Sequence, residues 1–524
     1  MADVRNILFI MCDQLRWDYL SCTGHPTLST PNIDRLASMG VRFDRAFVNA
    51  PVCGPSRMSY YTGRTVFSHG ATWNFVPLPI GELTLGDYLR PSGVRVAVAG
   101  KTHVRQDSAG LAHLGLTADT EIGARIAEGA FEPFERDDGL HPPGLDQSGL
   151  SYNRWLAAQG YDGENPWNDW ANAATGPNGE TLSGWNLKNS IYPARVKEEH
   201  SETPYITNRG IEFIEDSKDK PWLLHLSYIK PHWPYIAPAP YHAMFTQDQV
   251  LPAIKSDREL IDPHPVVRAF MNMEVGQSFA REDVRGAVIP AYMGLIKQID
   301  DQIGQLLDYL ESANLLTQTM IVFTSDHGDY LGDHWLGEKE LFHESSVRVP
   351  LIIVDPSSAA DHTRNSVCHH LVEAIDLVPT FLDAYQSKAS RHRLEGQSLM
   401  GFLRGPTPSA WRDAVFSELD YAFYEARELA GQGANDSRAY MLRTERWKYI
   451  YYKGFRPQLF DLKNDPNEFV DLGLDATYAL VRNDMHAKLL ERLTDRRNRI
   501  STDDEWVLSA RDREVGAGIV IGRW

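Results

Sequence analysis

The chain has 524 residues and 43% hydrophobic content, enough for one large core and a smaller satellite, since single cores seldom grow past about 250–300 residues. Seventy Asp and Glu against 52 Lys and Arg give a net charge of −18, which repels nucleic acid and anionic membrane surfaces, so an anionic substrate needs a local cationic pocket. Met1 to Ile10 carries Asp3 and Arg5 and does not read as a signal peptide, no apolar stretch reaches the roughly 18–20 residues of a membrane span, and four cysteines make no disulfide framework; the expectation is a cytoplasmic protein with reduced thiols.

Asn6 to Met11 is a continuous apolar run ending in Cys12-Asp13-Gln14, the pattern of a parallel strand buried on both faces. Thr30-Pro31 opens a helix through Met39 that Gly40 closes. Leu83 to Arg90 reads as helix and Val94 to Ala99 as a strand running into Gly100-Lys101-Thr102-His103. Val104 to Glu202 is rich in Gly, Pro, Asn and Trp with little periodicity, and reads as an insertion: a surface excursion, or a lid or oligomer contact. Trp222 to Ile229 is a strand ending at Lys230-Pro231-His232. Arg281 to Leu316 has helical periodicity and leads into the strand Met320 to Thr324, which ends at Ser325-Asp326-His327-Gly328; the strand Val349 to Val354 and the helix Ala374 to Tyr385 follow.

Strands alternating with helices predict an α/β fold with a large, mostly parallel sheet covered on both faces, in residues 1–403. Such sheets bind ligands beyond the carboxyl ends of their strands. Four separate strands here end in metal- or anion-competent side chains. From about Arg404 the pattern changes to short alternating strands, Tyr440 to Arg443, Trp447 to Tyr452 and Gln458 to Asp461, and a charged helix near Met485 to Arg499; residues 404–524 read as a C-terminal α+β domain with an antiparallel sheet. The tail from Trp506 to Trp524 is apolar for a free end and is expected to dock, on this chain or on a second subunit.

The chemistry centres on Cys53-Gly54-Pro55-Ser56-Arg57, followed by Thr62-Gly63-Arg64. Pro55 can open a helix and Gly63 close it, which puts Cys53 at a helix amino terminus with Arg57 one turn on, a setting that stabilises a thiolate. A single cysteine is more often a core residue. The whole string, however, resembles the sulfatase signature C-x-P-S-R followed by T-G-R. The chain resembles the type I sulfatases and their relatives the phosphonate monoester hydrolases, within the alkaline-phosphatase-like superfamily, from Asn6 to about Leu472.

The resemblance implies that a formylglycine-generating enzyme oxidises Cys53 to formylglycine (3-oxoalanine), whose hydrated aldehyde carries one hydroxyl to attack sulfur and a second to expel sulfate. It implies that Asp13, Gln14, Asp326 and His327 bind one divalent metal ion together with the modified Cys53. The oxygen-rich donor set suits Ca²⁺, Mg²⁺ or Mn²⁺, the histidine nitrogen tilting it toward Mn²⁺, and the expected ion is Ca²⁺ or Mn²⁺. Most sulfatases have Asp at the Gln14 position and Asn at the His327 position, and the pairs found here look like the phosphonate monoester hydrolase branch. Lys101-Thr102-His103 resembles the sulfatase Gly-Lys-x-His segment, His232 falls in a Pro-His-x-Pro element, and Lys339 stands eight residues before Val347-Arg348 as the active-site lysine does in sulfatases. The resemblance assigns Lys101 and Lys339 to the sulfonate oxygens, His232 with Lys339 to the leaving group, His103 to the base that releases sulfate, Arg57 to the nucleophile's anion and to orienting the helix start, and Asn74 to substrate contact by its distance after Cys53. Phosphonate monoester hydrolases typically replace the first Lys and His by uncharged residues, so the expectation is hydrolysis of sulfate monoesters, aryl sulfates foremost, with phosphonate monoesters and phosphate diesters as the alternative. An unmodified thiol phosphatase and a non-catalytic anion binder are further alternatives, separated by the mass of the Cys53 peptide. A homodimer or homotetramer is expected from the family and the tail.

Overall fold

The structure, a computed structural model, describes residues 4–144, 149–497, 499–518 and 522. Its centre is a nine-stranded sheet. Strand β1 (Asn6–Asp13) is its middle, followed by helix α1 (Pro31–Met39), β2 (Val41–Phe47), helix α2 (Cys53–Thr62), β3 (Arg95–Gly100) and β4 (Glu132–Arg136). Helix α3 (Glu202–Asp216), β5 (Trp222–Pro231), the long helix α4 (Glu282–Ser312), β6 (Thr319–Ser325), β7 (Arg348–Val354), β8 (Ser366–Cys368), β9 (Val372–Glu373) and helix α5 (Leu377–Ala384) complete it. The order is β8-β2-β7-β6-β1-β5-β3-β4, with β9 also on β2; every pairing is parallel except those of β7, which runs against both neighbours.

The continuous apolar run of β1 is explained by burial on both faces. Ile7, Phe9 and Met11 enter one core and Leu8, Ile10 and Cys12 the other, as alternation along a strand dictates. Helices flank both faces, so the expected α/β architecture is present. β2 was not anticipated, although Val41, Phe43 and Phe47 are buried while Arg42, Asp44 and Arg45 between them are less so.

The segment expected as an insertion joins the main body. Its β4 is the edge strand beside β3, and Tyr152, Leu156 and Trp167 are buried in the core on the α4 side of the sheet. Its lack of periodicity follows from short irregular pieces, including one π turn at Trp167–Ala171.

The C-terminal sheet is antiparallel, β10 (Ala414–Asp420), β11 (Arg438–Thr444), β12 (Trp447–Tyr452) and β13 (Gln458–Asp461) in order. One face, through Met441, Ile450 and Phe460, belongs to the same core as Phe9; the other packs on Met485 and Leu489 of helix α6 (Ala479–Thr494). The tail forms helix α7 (Asp504–Gly516), which buries none of its residues; Trp506, Leu508 and Val515 are exposed. Helix α7 is thus not packed on its own chain, and residues 519–521, 523 and 524, the apolar end on which the docking expectation rests, lie outside the described residues.

Candidate active site

Parallel register gathers the site. Cys12 of β1 stands beside Ser325 of β6, and Asp13 beside Pro231 of β5, so the residues just past these strands meet at one sheet edge. Gly100 of β3 aligns with Ser227 of β5. A side chain at Gly100 would put a Cβ 1.9 Å from the Ser227 carbonyl oxygen, so this close approach requires glycine. Helix α2 is bonded to these strand ends. Cys53 is its first residue, Gly63 closes it at φ 68°, Ser56 Oγ donates to the Asp326 carbonyl at 2.5 Å, and Tyr60 OH donates to that of Ser325 at 3.1 Å.

Both aspartates divide their oxygens. Asp13 Oδ2 takes Lys101 Nζ at 2.5 Å and Arg57 Nη2 at 3.3 Å, and Asp326 Oδ2 takes Arg57 Nε at 2.8 Å. Their Oδ1 atoms turn inward: His327 Nε2 is 3.7 Å from Asp13 Oδ1, 3.6 Å from Asp326 Oδ1 and 3.1 Å from Cys53 Sγ. Cys53 Sγ is 3.7 Å from Asp13 Oδ1 and marks where an oxygen of a hydrated formylglycine would sit. His327 Nδ1 lies 2.9 Å from the Gly328 carbonyl oxygen, which can only accept, so Nδ1 carries the proton and the Nε2 lone pair faces the two carboxylates. Burial holds His327 below the ordinary histidine range, which keeps that lone pair. Two carboxylate oxygens and an imidazole lone pair converging in a buried place call for a cation between them. The donor chemistry thus fits a divalent metal at Asp13, Cys53, Asp326 and His327, whose ligand atoms lie within 4.8 Å of one another.

Cations surround this cluster. Burial alone would lower the pKa of Lys101, but Asp13 and then Cys53 outweigh it and hold the ammonium above its usual range. Lys339 Nζ is 3.1 Å from Gln14 Oε1 and 3.1 Å from His232 Nε2. His232 Nδ1 is 2.6 Å from the Trp233 carbonyl oxygen, so Nδ1 is protonated and Nε2 accepts from Lys339. Burial and then Lys339 hold His232 well below the ordinary histidine range.

A second cluster, Glu259, His334 and His343, also has ligand atoms within 4.8 Å. Its imidazoles stack face to face, centroids 3.8 Å apart and planes at 15°, and their Nδ1 atoms are already engaged, His334 with Glu259 Oε1 at 2.6 Å and His343 with Tyr330 OH at 2.8 Å.

Comparison with known proteins places this arrangement. The family described as "Sulfatase" matches residues 5–118 and 132–387, and "N-sulphoglucosamine sulphohydrolase, C-terminal" matches residues 332–495. The chain belongs to the sulfatase family. This sulfatase-family chain is 32% identical over 512 residues to the multifunctional alkaline phosphatase superfamily protein PehA of Trinickia caryophylli, covering 93% of this chain and 94% of that one. It is 28% identical to the arylsulfatase of Clostridium perfringens, covering 89% and 90%. Among solved structures it resembles the phosphonate monoester hydrolase of Agrobacterium radiobacter, with a TM-score of 0.79 and 28% identity over 93% of this chain and 95% of that one.

In this sulfatase-family chain the residues singled out from sequence meet at one place, with differences of detail. The bonds of Arg57 go to Asp13, Asp326, the Lys101 carbonyl and Ser227 Oγ, so it ties strand ends together, and its charge interacts with Cys53. Asn74 Oδ1 accepts the Gly54 N–H at 2.8 Å, which leaves its Nδ2 for a substrate. His103 stands at φ 55°, its backbone N–H held by Asp138 Oδ1 at 3.0 Å, and its Nδ1 has no partner among the described residues. Sequence reasoning missed Ser227, Tyr235, Asp138 and Asp329. Asp329 left a signal, as an acid three residues after Asp326; Asp138 sits in the aperiodic segment and left none.

Proposed function

We propose that this chain hydrolyses sulfate monoesters, aryl sulfates foremost, with a nucleophile made by oxidation of Cys53 to formylglycine and a covalent sulfo-enzyme intermediate. The observation that carries the reading is Cys53 Sγ held against the inward oxygen of Asp13 and His327 Nε2, with Lys101 and Lys339 buried around it. When present, the divalent cation, Ca²⁺ or Mn²⁺, and the hydrated aldehyde supply a readily ionised hydroxyl and neutralisation of sulfonate charge. The chain's own residues do the rest. Lys101 and Lys339 offer fixed ammonium groups to sulfonate oxygens in a water-poor site. His103, held below the ordinary histidine range by burial and Lys101, is neutral near pH 7 and ready to take a proton. His232 and Lys339 serve the leaving oxygen together: Lys339 carries the proton and gives it up, and His232 Nε2, which accepts from it, orients the ammonium. Arg57 and Asp326 fix the start of α2.

A formylglycine-generating enzyme is the maturation partner. All four cysteines are unpaired, which supports a reducing, cytoplasmic setting, and no described helix is long and apolar enough to cross a membrane. The exposed apolar residues of α7 support a homodimer or homotetramer.

A second reading, phosphonate monoester or phosphate diester hydrolysis with the same nucleophile, is supported by the likeness to the Agrobacterium radiobacter enzyme and by Gln14 and His327. Both substrate classes are monoanions, so charge alone does not separate them. Protein whose Cys53 oxidation has been quantified by peptide mass is assayed on an aryl sulfate and a phenyl phosphonate ester. A higher kcat/KM for the sulfate is expected; a higher value for the phosphonate reverses the assignment, and finding only unmodified thiol in protein from its native host removes the nucleophile.

A further inference from the structure

Gln14 has a neutral side chain where a ligand is needed, and an amide can present either its oxygen or its NH₂ to the site. The structure shows what decides. Gln14 stands at φ 66°, its backbone N–H donating to Asp326 Oδ1 at 3.1 Å and its carbonyl accepting from Tyr292 OH at 2.8 Å. Its Nε2 donates to Asp329 Oδ2 at 2.6 Å and to Tyr235 OH at 3.2 Å. Tyr235 OH donates in turn to Asp329 Oδ2 at 2.8 Å, so its lone pair is what Gln14 meets. A carboxylate only accepts, so the amide NH₂ must face Asp329, and both of its hydrogens are used. Oε1 is left facing Lys339, at 3.1 Å.

Asp329 itself is unusual. It is fully buried, and no Lys, Arg or His nitrogen among the described residues forms a salt bridge with its carboxylate. Among the described residues, its Oδ1 accepts only the Leu331 N–H, at 3.0 Å. A buried carboxylate without a counter-ion is costly, and hydrogen bonds alone hold this one. Position 14 carries a neutral amide, and a carboxylate stands directly behind it.

We propose that Asp329 is a positioning residue that orients the Gln14 amide, fixing its oxygen toward the cation site and placing a negative charge behind it. The assignment rests on the cation reading given above.

The test is cation affinity, which needs no turnover. Full-length protein with native Cys53 is titrated calorimetrically with Mn²⁺ and with Ca²⁺, as wild type, Asp329→Asn, Gln14→Ala and the double variant. Asn keeps the shape, but it cannot accept from both Leu331 on one side and Gln14 with Tyr235 on the other. Asp329→Asn is expected to weaken binding about tenfold or more, the range typical of groups behind a ligand. In the Gln14→Ala background the same change is expected to add nothing, because a residue acting only through Gln14 has nothing left to orient. Melting curves of the cation-free variants report folding, and a merely structural role would weaken binding equally in both backgrounds. Unchanged affinity in Asp329→Asn, or an equal loss with and without Gln14, overturns the assignment. A wild type that takes up neither cation overturns the cation reading, and this assignment with it.

Discussion

Lys339 and His232 form one proton-delivering path at the residue scale, in which Lys339 is the donor and His232 orients it. Trp233 claims the Nδ1 proton of His232, so the imidazole meets Lys339 as an acceptor. Burial would lower Lys339, but Cys53, Glu338 and Asp13 outweigh it and keep the ammonium charged. Losing this path should hurt most where the leaving oxygen is basic. His232→Ala is expected to cut kcat/KM by roughly 10²–10⁴ for an unsubstituted phenyl sulfate and far less for a nitrophenyl sulfate. Equal losses across a series of leaving groups would make His232 an anion-binding residue only. Arg57 acts differently, since its fork joins Asp13, Asp326, Ser227 and the end of β3. Arg57→Met leaves two buried carboxylates short of a partner and is expected to cost about 3–5 kcal/mol in urea unfolding. A loss under 1 kcal/mol would show that Lys101 alone balances them.

At the scale of elements, β10 carries a buried acid that works against the fold at high pH. Glu418 accepts the Phe67 N–H at 2.8 Å, and burial, reinforced by Glu395, raises its pKa from 4.5 to about 8. The native state therefore keeps a proton that the unfolded chain releases near pH 4.5. Stability from this group is full below about pH 4.5, falls as pH rises toward 8, and stays low above it. Glu418→Gln keeps an oxygen for Phe67 and cannot ionise. Its melting temperature should match wild type near pH 4.5 and exceed it increasingly up to pH 9; a deficit at pH 9 would contradict this. β10 was not legible in the sequence, because its apolar residues do not alternate cleanly: Val415, Phe416, Ser417, Glu418 and Leu419 are all buried. β1 and β6 were legible for the opposite reason, as uninterrupted apolar runs with polar ends, and β5 as a mostly apolar run broken only by His225 and Ser227. β4 was hidden because Glu132, Pro133 and Glu135 break any hydrophobic pattern on an edge strand.

On the scale of the whole molecule, the site was legible wherever a strand ends in it and opaque wherever a neighbour supports it. Asp13, Lys101, His232 and Asp326 follow apolar runs, so sequence order alone put them at one sheet edge. Asp138, Tyr235 and Asp329 act by closing contacts between distant segments, which no local pattern records. The same long-range closure makes cation binding a property of the entire fold. The proposed ligands come from β1, α2 and the residues after β6, which no longer lie together once the chain unfolds. A cation that binds only the native state stabilises it by about 2.7 kcal/mol at a hundred times its Kd. For a chain of 524 residues this corresponds to a rise of about 2–3 °C in Tm. Mn²⁺ or Ca²⁺ should produce that rise, a chelator should abolish it, and Asp326→Ala should melt at one temperature with and without the cation. A Tm indifferent to chelator in the wild type, together with no calorimetric uptake, would leave the inward oxygens of Asp13 and Asp326 balanced by Arg57 and Lys101 alone.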